Sequence, residues 1–448
     1  MSFNAWLALF GALLLLMALL AASLRRMPLT SSSIYLALGF AVGPTGFDLI
    51  RIDFHRESVV IENLTAIAVI VSLFIGGLKL RLPWSDPSWS AAYRLAGPVM
   101  LASITGVALV CHFALGMGWP ESFLLGSILA PTDPVLAGTV TVSHAGDHDR
   151  MRYGLSGEAG FNDGAAFPFL VFSLLWMQHG EVGSWFAGWA FHRLLWGIPA
   201  GLLIGYLLGK GLGHLAIRLR SRNPDTGAPG DFLAMALIAL AYAGAEAAGA
   251  WGFLAAFAAG LGFRSSEVRT AKDHPVAGQT PLRNPQDNLA PAHPPSEVFA
   301  VDPAGAKPSA HPTKAAGQMV AEIVSFGDHA ERLLEVLLVL LTGICLSTYW
   351  DPRAVPVALA LFFLIRPLAT FLCLAGTPTR PAQRGLMGWF GIRGIGSLYY
   401  LAYSLNHGLS VDTRGITGIA LSVVALSIGV HGATSPLLDH YERRRSPK

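Results

Sequence analysis

Long apolar segments recur along almost the whole chain, separated by short polar or basic connections. A helix that crosses the ~30 Å hydrocarbon core of a bilayer needs about 20 residues. Thirteen segments meet this requirement, at residues 5–23, 30–49, 61–80, 95–117, 121–143, 153–178, 190–213, 231–248, 250–264, 333–349, 354–375, 384–405 and 413–434. The pattern predicts an all-α polytopic membrane protein with about 13 transmembrane helices.

Two of these predicted helices contain helix-breaking residues at matching positions. The fifth contains Pro131 and Pro134, and the twelfth contains the run 391–396, which reads GIRGIG. Proline lacks an N–H and disturbs the preceding turn, and irregular backbone at membrane depth is tolerated only where it is buried or lines a cavity. Matching interruptions are typical of transporters built from two inverted repeats. The sequence therefore predicts crossed discontinuous helices, with Pro134, Arg393 and Gly394 at the crossing.

A proline-rich segment, 264–331, interrupts the apolar pattern. It has no sustained period and cannot bury a core, so we expect a flexible cytoplasmic loop. The loop divides the chain into regions. Residues 1–263 would hold the first repeat, a connecting helix and the start of the second repeat. Residues 332–436 would hold the remainder of the second repeat, and residues 437–448 a cytoplasmic tail.

Basic residues are distributed unevenly between the two sides that the helices define. Arg25 and Arg26 follow the first apolar run, whereas no Lys or Arg precedes it. A signal peptide has the opposite order. With the amino terminus outside, most basic connections fall on the cytoplasmic side, as the positive-inside rule requires. We expect a retained first helix, an external amino terminus and a cytoplasmic carboxyl terminus.

Composition excludes a large soluble enzyme. The 448 residues are 53% hydrophobic and 13% charged, whereas soluble domains have about 25% charged residues. The sequence has no basic patch interleaved with aromatic residues and no zinc-ligand spacing, so nucleic acid is not an expected partner. Membrane lipid is an expected partner, and no cofactor is expected.

Three carboxylates, Asp133, Glu158 and Asp163, lie within predicted membrane helices. A charge at the bilayer centre costs about 3 kcal/mol or more, and such residues usually belong to ion or proton pathways. Asn162 lies one turn after Glu158 and shares its face, so Asp163 faces a second direction, towards Asp133 and Thr132. Carboxylate, hydroxyl and carbonyl oxygens suit a small hard cation. One carboxylate can hold a proton or a cation but not both, which is sufficient for exchange if access alternates.

Two arginines, Arg366 and Arg393, also lie at membrane depth and require partners. Glu158 and Glu246 are candidates for Arg366. Asp133 or the carbonyl groups of a helix end are candidates for Arg393. Glu246 itself could be an acid at a pore rim or a charge at a helix end.

Two other functions fit parts of the pattern. A cation channel or uniporter could use the same carboxylate lining. Residues 154–157 read GLSG, the pattern of rhomboid-type intramembrane serine proteases, with Ser156 as nucleophile and His431 as base. A four-residue pattern is weak in a glycine-rich membrane protein, and the protease hypothesis leaves the buried carboxylates unexplained.

The motifs together resemble those of one family of transporters. They are TDP at 132–134, GEAGFND at 157–163, Arg366 in the eleventh helix and GIRG at 391–394. In these the chain resembles monovalent cation/proton antiporters of the CPA1, NhaP-like type, over roughly residues 5 to 434 apart from the proline-rich loop. The resemblance implies an NhaA/NhaP-like fold with a six-helix core and a dimerisation domain. It also implies a homodimer in the bacterial inner membrane, which exchanges Na⁺, K⁺ or Li⁺ for H⁺ in pH homeostasis.

The same resemblance implies roles for individual residues. The ion-binding and proton-binding set would be Asp163, Thr132, Asp133 and Asn162, with Asp163 and Thr132 as ligands of the transported cation. Glu158 would form a structural ion pair with Arg366. Asn162 is neutral, as in the electroneutral branch of the family, where one exchanging carboxylate fits one-for-one exchange.

One position departs from the family pattern. Relatives usually have Ser directly after the Glu, whereas this chain has Ala159. A hydroxyl ligand is therefore missing, and Ser156 is a candidate substitute. The choice among Na⁺, K⁺ and Li⁺ stays open at this point.

Overall fold

The computed structural model describes residues 11, 15, 30–133, 136, 140–142, 149–222, 230–276, 296, 311–409, 411–434, 437 and 441. Within these residues the chain forms thirteen helices and no strand, which confirms the all-α class. In chain order they are α1 (Ser31–Val42), α2 (Ser58–Lys79), α3 (Trp89–Leu115), α4 (Trp119–Leu129), α5 (Arg150–His179), α6 (Trp185–Arg222), α7 (Gly230–Ala247), α8 (Gly252–Asp273), α9 (Pro312–Tyr349), α10 (Ala354–Cys373), α11 (Pro381–Trp389), α12 (Ile395–Asn406) and α13 (Thr413–Gly432).

Six of the described helices, α2, α3, α6, α7, α10 and α13, are long and apolar enough to cross a membrane. Several keep an exposed apolar face. On α10, for example, Phe363, Leu364 and Leu372 are all exposed. Lipid tails can solvate such a face and water cannot. The chain is therefore a multi-pass membrane protein.

The thirteen observed helices do not match the thirteen predicted spans one to one, because one broken span supplies two helices. The predicted twelfth span consists of α11 and α12, which are separated by the non-helical residues 390–394. In the predicted fifth span the helix ends at Leu129, and the described residues 130–133 that follow it are not helical. The first predicted span, apart from residues 11 and 15, lies outside the described residues, as does Pro134. The inverted-repeat relation stays a prediction.

Both ends of the segment predicted as a loop, 264–331, are helical. Helix α8 continues to Asp273, and α9 begins at Pro312. The reason is burial, because the first turns of α9 place Ala316, Val320 and Ile323 in an apolar cluster with α7 and α8.

Helix α8 packs closely against α6 and α2. A Cβ atom on Gly205 of α6 would lie 2.0 Å from the carbonyl oxygen of Ala255, and one on Gly260 of α8 would lie 2.1 Å from that of Phe74. Small residues let membrane helices approach in this way. One apolar cluster is built from α2 and α6 to α9. A larger one contains most buried residues of α3 to α5 and α10 to α13, including the broken helices.

Candidate functional site

The two helix interruptions are joined by hydrogen bonds. Residues 130–133 follow the end of α4 without helical structure, and residues 390–394 separate α11 from α12. The backbone N–H of Asp133 donates to the carbonyl of Ile392 at 2.8 Å. Arg393 Nη1 donates to the carbonyl of Pro131 at 3.2 Å. Each interruption thus supplies partners for backbone groups that the other leaves without intrahelical bonds.

The Asp133 carboxylate serves the amino-terminal end of α12. Its Oδ2 accepts a hydrogen bond from the backbone N–H of Ile395, and its Oδ1 accepts one from that of Leu136 at 3.2 Å. A carboxylate is favoured there because the first N–H groups of a helix are unpaired and the helix dipole is positive. A Cβ atom on Gly394 would lie 2.3 Å from Asp133 Oδ2, so glycine leaves the room that this contact needs.

Arg393 is fully buried beside the crossing. Of its two candidate partner types, the structure places its guanidinium against a helix-end carbonyl, that of Pro131. Its Nε and Nη2 have no hydrogen-bond partner among the described residues. Its backbone N–H donates to Ser427 Oγ at 2.8 Å, which ties the interruption to α13.

Glu158 of α5 and Arg366 of α10 form a buried, two-pronged ion pair. Arg366 Nη1 and Nη2 donate to the two carboxylate oxygens at 2.7 and 2.9 Å, and Nη2 also donates to the carbonyl of Met387 at 3.1 Å. A wide π-helical turn precedes Arg366 and Pro367 follows it, an irregularity frequent at functional sites. The other candidate partner, Glu246, instead accepts from the backbone N–H of Gly252 at 2.9 Å, so it caps a helix end.

Asp163 and Asn162 lie further along α5 and are almost completely buried. Asp163 Oδ1 and Asn162 Oδ1 have no hydrogen-bond partner among the described residues. Tyr400 donates through its hydroxyl to the backbone carbonyl of Asp163. A Cβ atom on Gly396 would lie 2.8 Å from Asp163 Oδ1. The Asp163 carboxylate therefore faces the first turn of α12, with no side chain of residue 396 between them.

Asn162 connects this carboxylate to the first interruption. Its Nδ2 lies 3.5 Å from Thr132 Oγ1 and 3.5 Å from the carbonyl oxygen of Ala130. The structure thus brings Thr132, Asn162 and Asp163 to the same region, and Asp133, which follows Thr132 in the same interruption, bonds to the start of α12. Pro134, the remaining predicted residue, lies outside the described residues.

Two side-chain oxygens of the site, Asn162 Oδ1 and Asp163 Oδ1, are buried without a hydrogen-bond partner among the described residues. Buried polar atoms in native proteins are nearly always hydrogen-bonded, so an unpaired one needs an explanation such as an ion. Carboxylate, amide and hydroxyl oxygens fit a hard monovalent cation. Sequence reasoning missed Tyr400 and Ser397, and it named Gly396 only as part of the break; the buried Ser397 hydroxyl also has no partner among the described residues. The signal available was their position directly after the glycine-rich break.

The protease alternative finds no support in the geometry. Ser156 Oγ accepts a hydrogen bond from the backbone N–H of Val142 at 2.8 Å. His431 Nδ1 bonds within its own helix, to the carbonyl of Ser427 at 2.8 Å. Ser156 and His431 therefore bond to different partners, whereas a nucleophile must contact its base.

Comparison with known proteins gives a consistent result. Residues 11–279 match the family model described as sodium/hydrogen exchanger, transmembrane. Na(+)/H(+) antiporter 2 of Zygosaccharomyces rouxii is 30% identical over 226 residues, which are 49% of this chain and 28% of that protein. K(+)/H(+) antiporter NhaP2 of Shewanella sp. (strain MR-4) is 25% identical over 430 residues, which are 95% of this chain and 65% of that protein. The chain thus spans less than two thirds of the length of these curated relatives.

A solved structure supports the fold. The sodium proton antiporter MjNhaP1 from Methanocaldococcus jannaschii superimposes with a TM-score of 0.67 and 17% identity, covering 97% of this chain and 96% of that one. Because the family model matches more than half of the sequence, the chain belongs to the sodium/hydrogen exchanger family.

Proposed function

We propose that the protein exchanges one monovalent cation, Na⁺ or alternatively K⁺ or Li⁺, for one H⁺ by alternating access. The observation that carries this proposal is the buried Asp163 carboxylate at the junction of two interrupted membrane helices, whose Oδ1 has no hydrogen-bond partner in the described part of the chain. Membership of the sodium/hydrogen exchanger family supports it. The proposal covers transport and no enzymatic activity.

The chemistry of the proposed site is competition for one group. Asp163 would bind a dehydrated cation together with oxygens of Thr132 and Asn162, or would bind a proton instead. Both oxygens of Asp133 already accept backbone hydrogen bonds, so its main role would be to hold α12 in place, with its remaining lone pairs turned to the cation. Because Asn162 is neutral, a single carboxylate exchanges, and the cycle moves no net charge.

The choice of cation depends on the ligands that the site offers. Ala159 supplies no hydroxyl, and Ser156 Oγ already accepts the N–H of Val142. The similar proteins include both Na⁺/H⁺ and K⁺/H⁺ antiporters. We propose Na⁺ as the first candidate and an alkali-cation series as the means to decide.

Orientation and assembly are also proposals. The excess of Lys and Arg in alternate connections supports an external amino terminus and a cytoplasmic carboxyl terminus. The family resemblance supports a homodimer in the bacterial inner membrane.

The test is a flux assay with the purified chain in proteoliposomes that contain a pH-sensitive dye. Addition of Na⁺, K⁺ or Li⁺ to acid-loaded vesicles should make the lumen more alkaline, with one cation clearly preferred and no dependence on membrane potential. A channel would pass cation current with no obligatory proton movement. Cation current without a pH change would overturn the proposal.

A further inference from the structure

A cavity of about 880 Å³ lies between α1, the segment that joins α1 to α2, α2 itself and α9. No residue of the candidate ion site lines it. Its volume is near the upper end of the range typical of small-molecule sites, roughly 300–1,000 Å³. Most of its wall is aliphatic, including Val60, Leu64, Leu337, Leu340, Leu341 and Ile344.

The mouth of the cavity carries charges of both signs. Arg51 and Asp53 have partners there, because Arg51 Nη2 pairs with Asp48 at 2.5 Å and Asp53 accepts from Tyr349 Oη at 2.8 Å. The neighbouring residues Arg56 and Glu57 also line the cavity. Within the described part of the chain, neither side chain has an ion pair or a hydrogen bond. The Arg56 guanidinium and the Glu57 carboxylate, from neighbouring residues, are thus both available to a ligand.

The cavity is also open to the apolar surface of the bundle. Val60 of α2 is 60% exposed and Leu337 of α9 is 37% exposed, and both belong to its wall. Helix α2 is apolar enough to cross a membrane. A cavity with aliphatic walls, a lateral opening and a charged mouth at the helix ends suits an amphiphile whose chains lie in the bilayer.

We propose that this cavity binds a membrane phospholipid with an ethanolamine headgroup. The phosphate contacts the Arg56 guanidinium, whose forked N–H donors match phosphate oxygens. The primary ammonium donates to Glu57, and the acyl chains lie along α2 and α9. A choline headgroup has no N–H to donate, and a glycerol headgroup brings no positive charge for Glu57.

Thermal unfolding of the purified full-length chain in detergent tests the proposal. Phosphatidylethanolamine should raise Tm saturably, and phosphatidylcholine or phosphatidylglycerol with the same acyl chains should raise it less. Arg56→Ala and Glu57→Gln should remove the advantage of phosphatidylethanolamine. Arg414→Ala should keep it, because Arg414 is also exposed but does not line the cavity. Val60→Trp, which fills the cavity from an exposed position, should abolish the lipid-dependent rise.

Equal rises with the three lipids would overturn the headgroup assignment, and so would a full phosphatidylethanolamine effect in Arg56→Ala. Native mass spectrometry of the wild-type chain supplies a measurement that needs no variant. One retained phosphatidylethanolamine molecule is expected. A lipid-free protein would overturn the proposal. Neither measurement depends on exchange activity, so failure here leaves the proposed function untouched.

Discussion

Glu158 and Asp163 lie five residues apart on the same helix, and both are buried, yet their surroundings differ. Both oxygens of Glu158 are occupied by Arg366, at 2.7 and 2.9 Å. Asp163 has an oxygen with no partner among the described residues. A carboxylate whose two oxygens both accept hydrogen bonds from one arginine has its binding positions filled by that partner. An unpaired one must find a proton or a cation, because burying a bare charge is costly. This difference supports a structural role for Glu158 and the exchange role that we propose for Asp163.

The largest effect on stability should come from removing the partner of Glu158. Arg366→Ala leaves Glu158 buried without its cation, and loss of one partner of a buried pair costs about 3–5 kcal/mol. We expect a large loss of folded protein, measured by fluorescence-detected size exclusion and thermal unfolding. The double variant Arg366→Gln/Glu158→Gln should recover part of the loss.

Arg353 provides a matched control, because it pairs with Asp351 at 2.8 Å but its side chain is 42% exposed. Exposed pairs contribute about 0–1 kcal/mol. Arg353→Ala should therefore unfold close to the wild type. If Arg366→Ala were as stable as Arg353→Ala, Glu158 would not need its partner. The structural role of the Glu158–Arg366 pair would then be contradicted.

Asp133→Ala should have the next largest effect. It removes the acceptor of two backbone N–H groups, those of Ile395 and Leu136. Hydrogen bonds to charged groups contribute about 1.5–3 kcal/mol. We expect a lower Tm for Asp133→Ala and a smaller decrease for Asp133→Asn, which keeps one acceptor oxygen. An equal decrease in both variants would show that charge, and not the hydrogen bonds, matters at this position.

Gly396→Ala should act mainly on transport. The added Cβ atom would lie 2.8 Å from Asp163 Oδ1, where the cation or proton is proposed to bind. Forcing an extra methyl group into a packed site costs about 1–3 kcal/mol, so exchange should fall roughly tenfold or more. Gly429→Ala is the control, because nothing lies within 4 Å of its added Cβ atom. Equal exchange rates in the two variants would place the binding site elsewhere.

The smallest effect concerns a carboxylate outside the membrane-spanning helices. A hydrogen bond from Tyr349 Oη holds the pKa of Asp53 below its ordinary value, with help from the N–H groups of Arg56 and His55. Such a group stabilises the fold above its ordinary pKa of about 3.9, and the stabilisation is lost as the pH falls through the lower folded pKa. Tyr349→Phe should unfold at a slightly lower Tm at pH 7, and the difference should narrow in acid. A difference that widened in acid would contradict this sign.

Much of the fold could be predicted because membrane solvation imposes a simple pattern. Apolar segments of about 20 residues and the breaks after Leu129 and at 390–394 follow from local composition. The helical ends of the segment 264–331 could not be predicted, because they depend on burial against distant helices. For the same reason, no local signal showed the wide turn before Arg366.

The site shows the same division between local and distant information. A buried arginine requires an acid, and the sequence offered both Glu158 and Glu246 to Arg366; only the structure shows which one makes contact. The sequence also predicted that Asp133 stands near a helix break. It did not show that the carboxylate accepts the N–H of Ile395, 262 residues away. This contact forms only when segments distant in the sequence meet in the folded protein, so no local sequence pattern predicts it.

The most direct test of the central claim is exchange by Asp163→Asn in proteoliposomes. The substitution keeps the shape of the side chain and removes its charge. We predict a folded protein with a Tm close to that of the wild type and no cation-dependent alkalinisation of acid-loaded vesicles for Na⁺, K⁺ or Li⁺. Exchange at the wild-type rate would contradict the assignment of Asp163 as the group for which cation and proton compete.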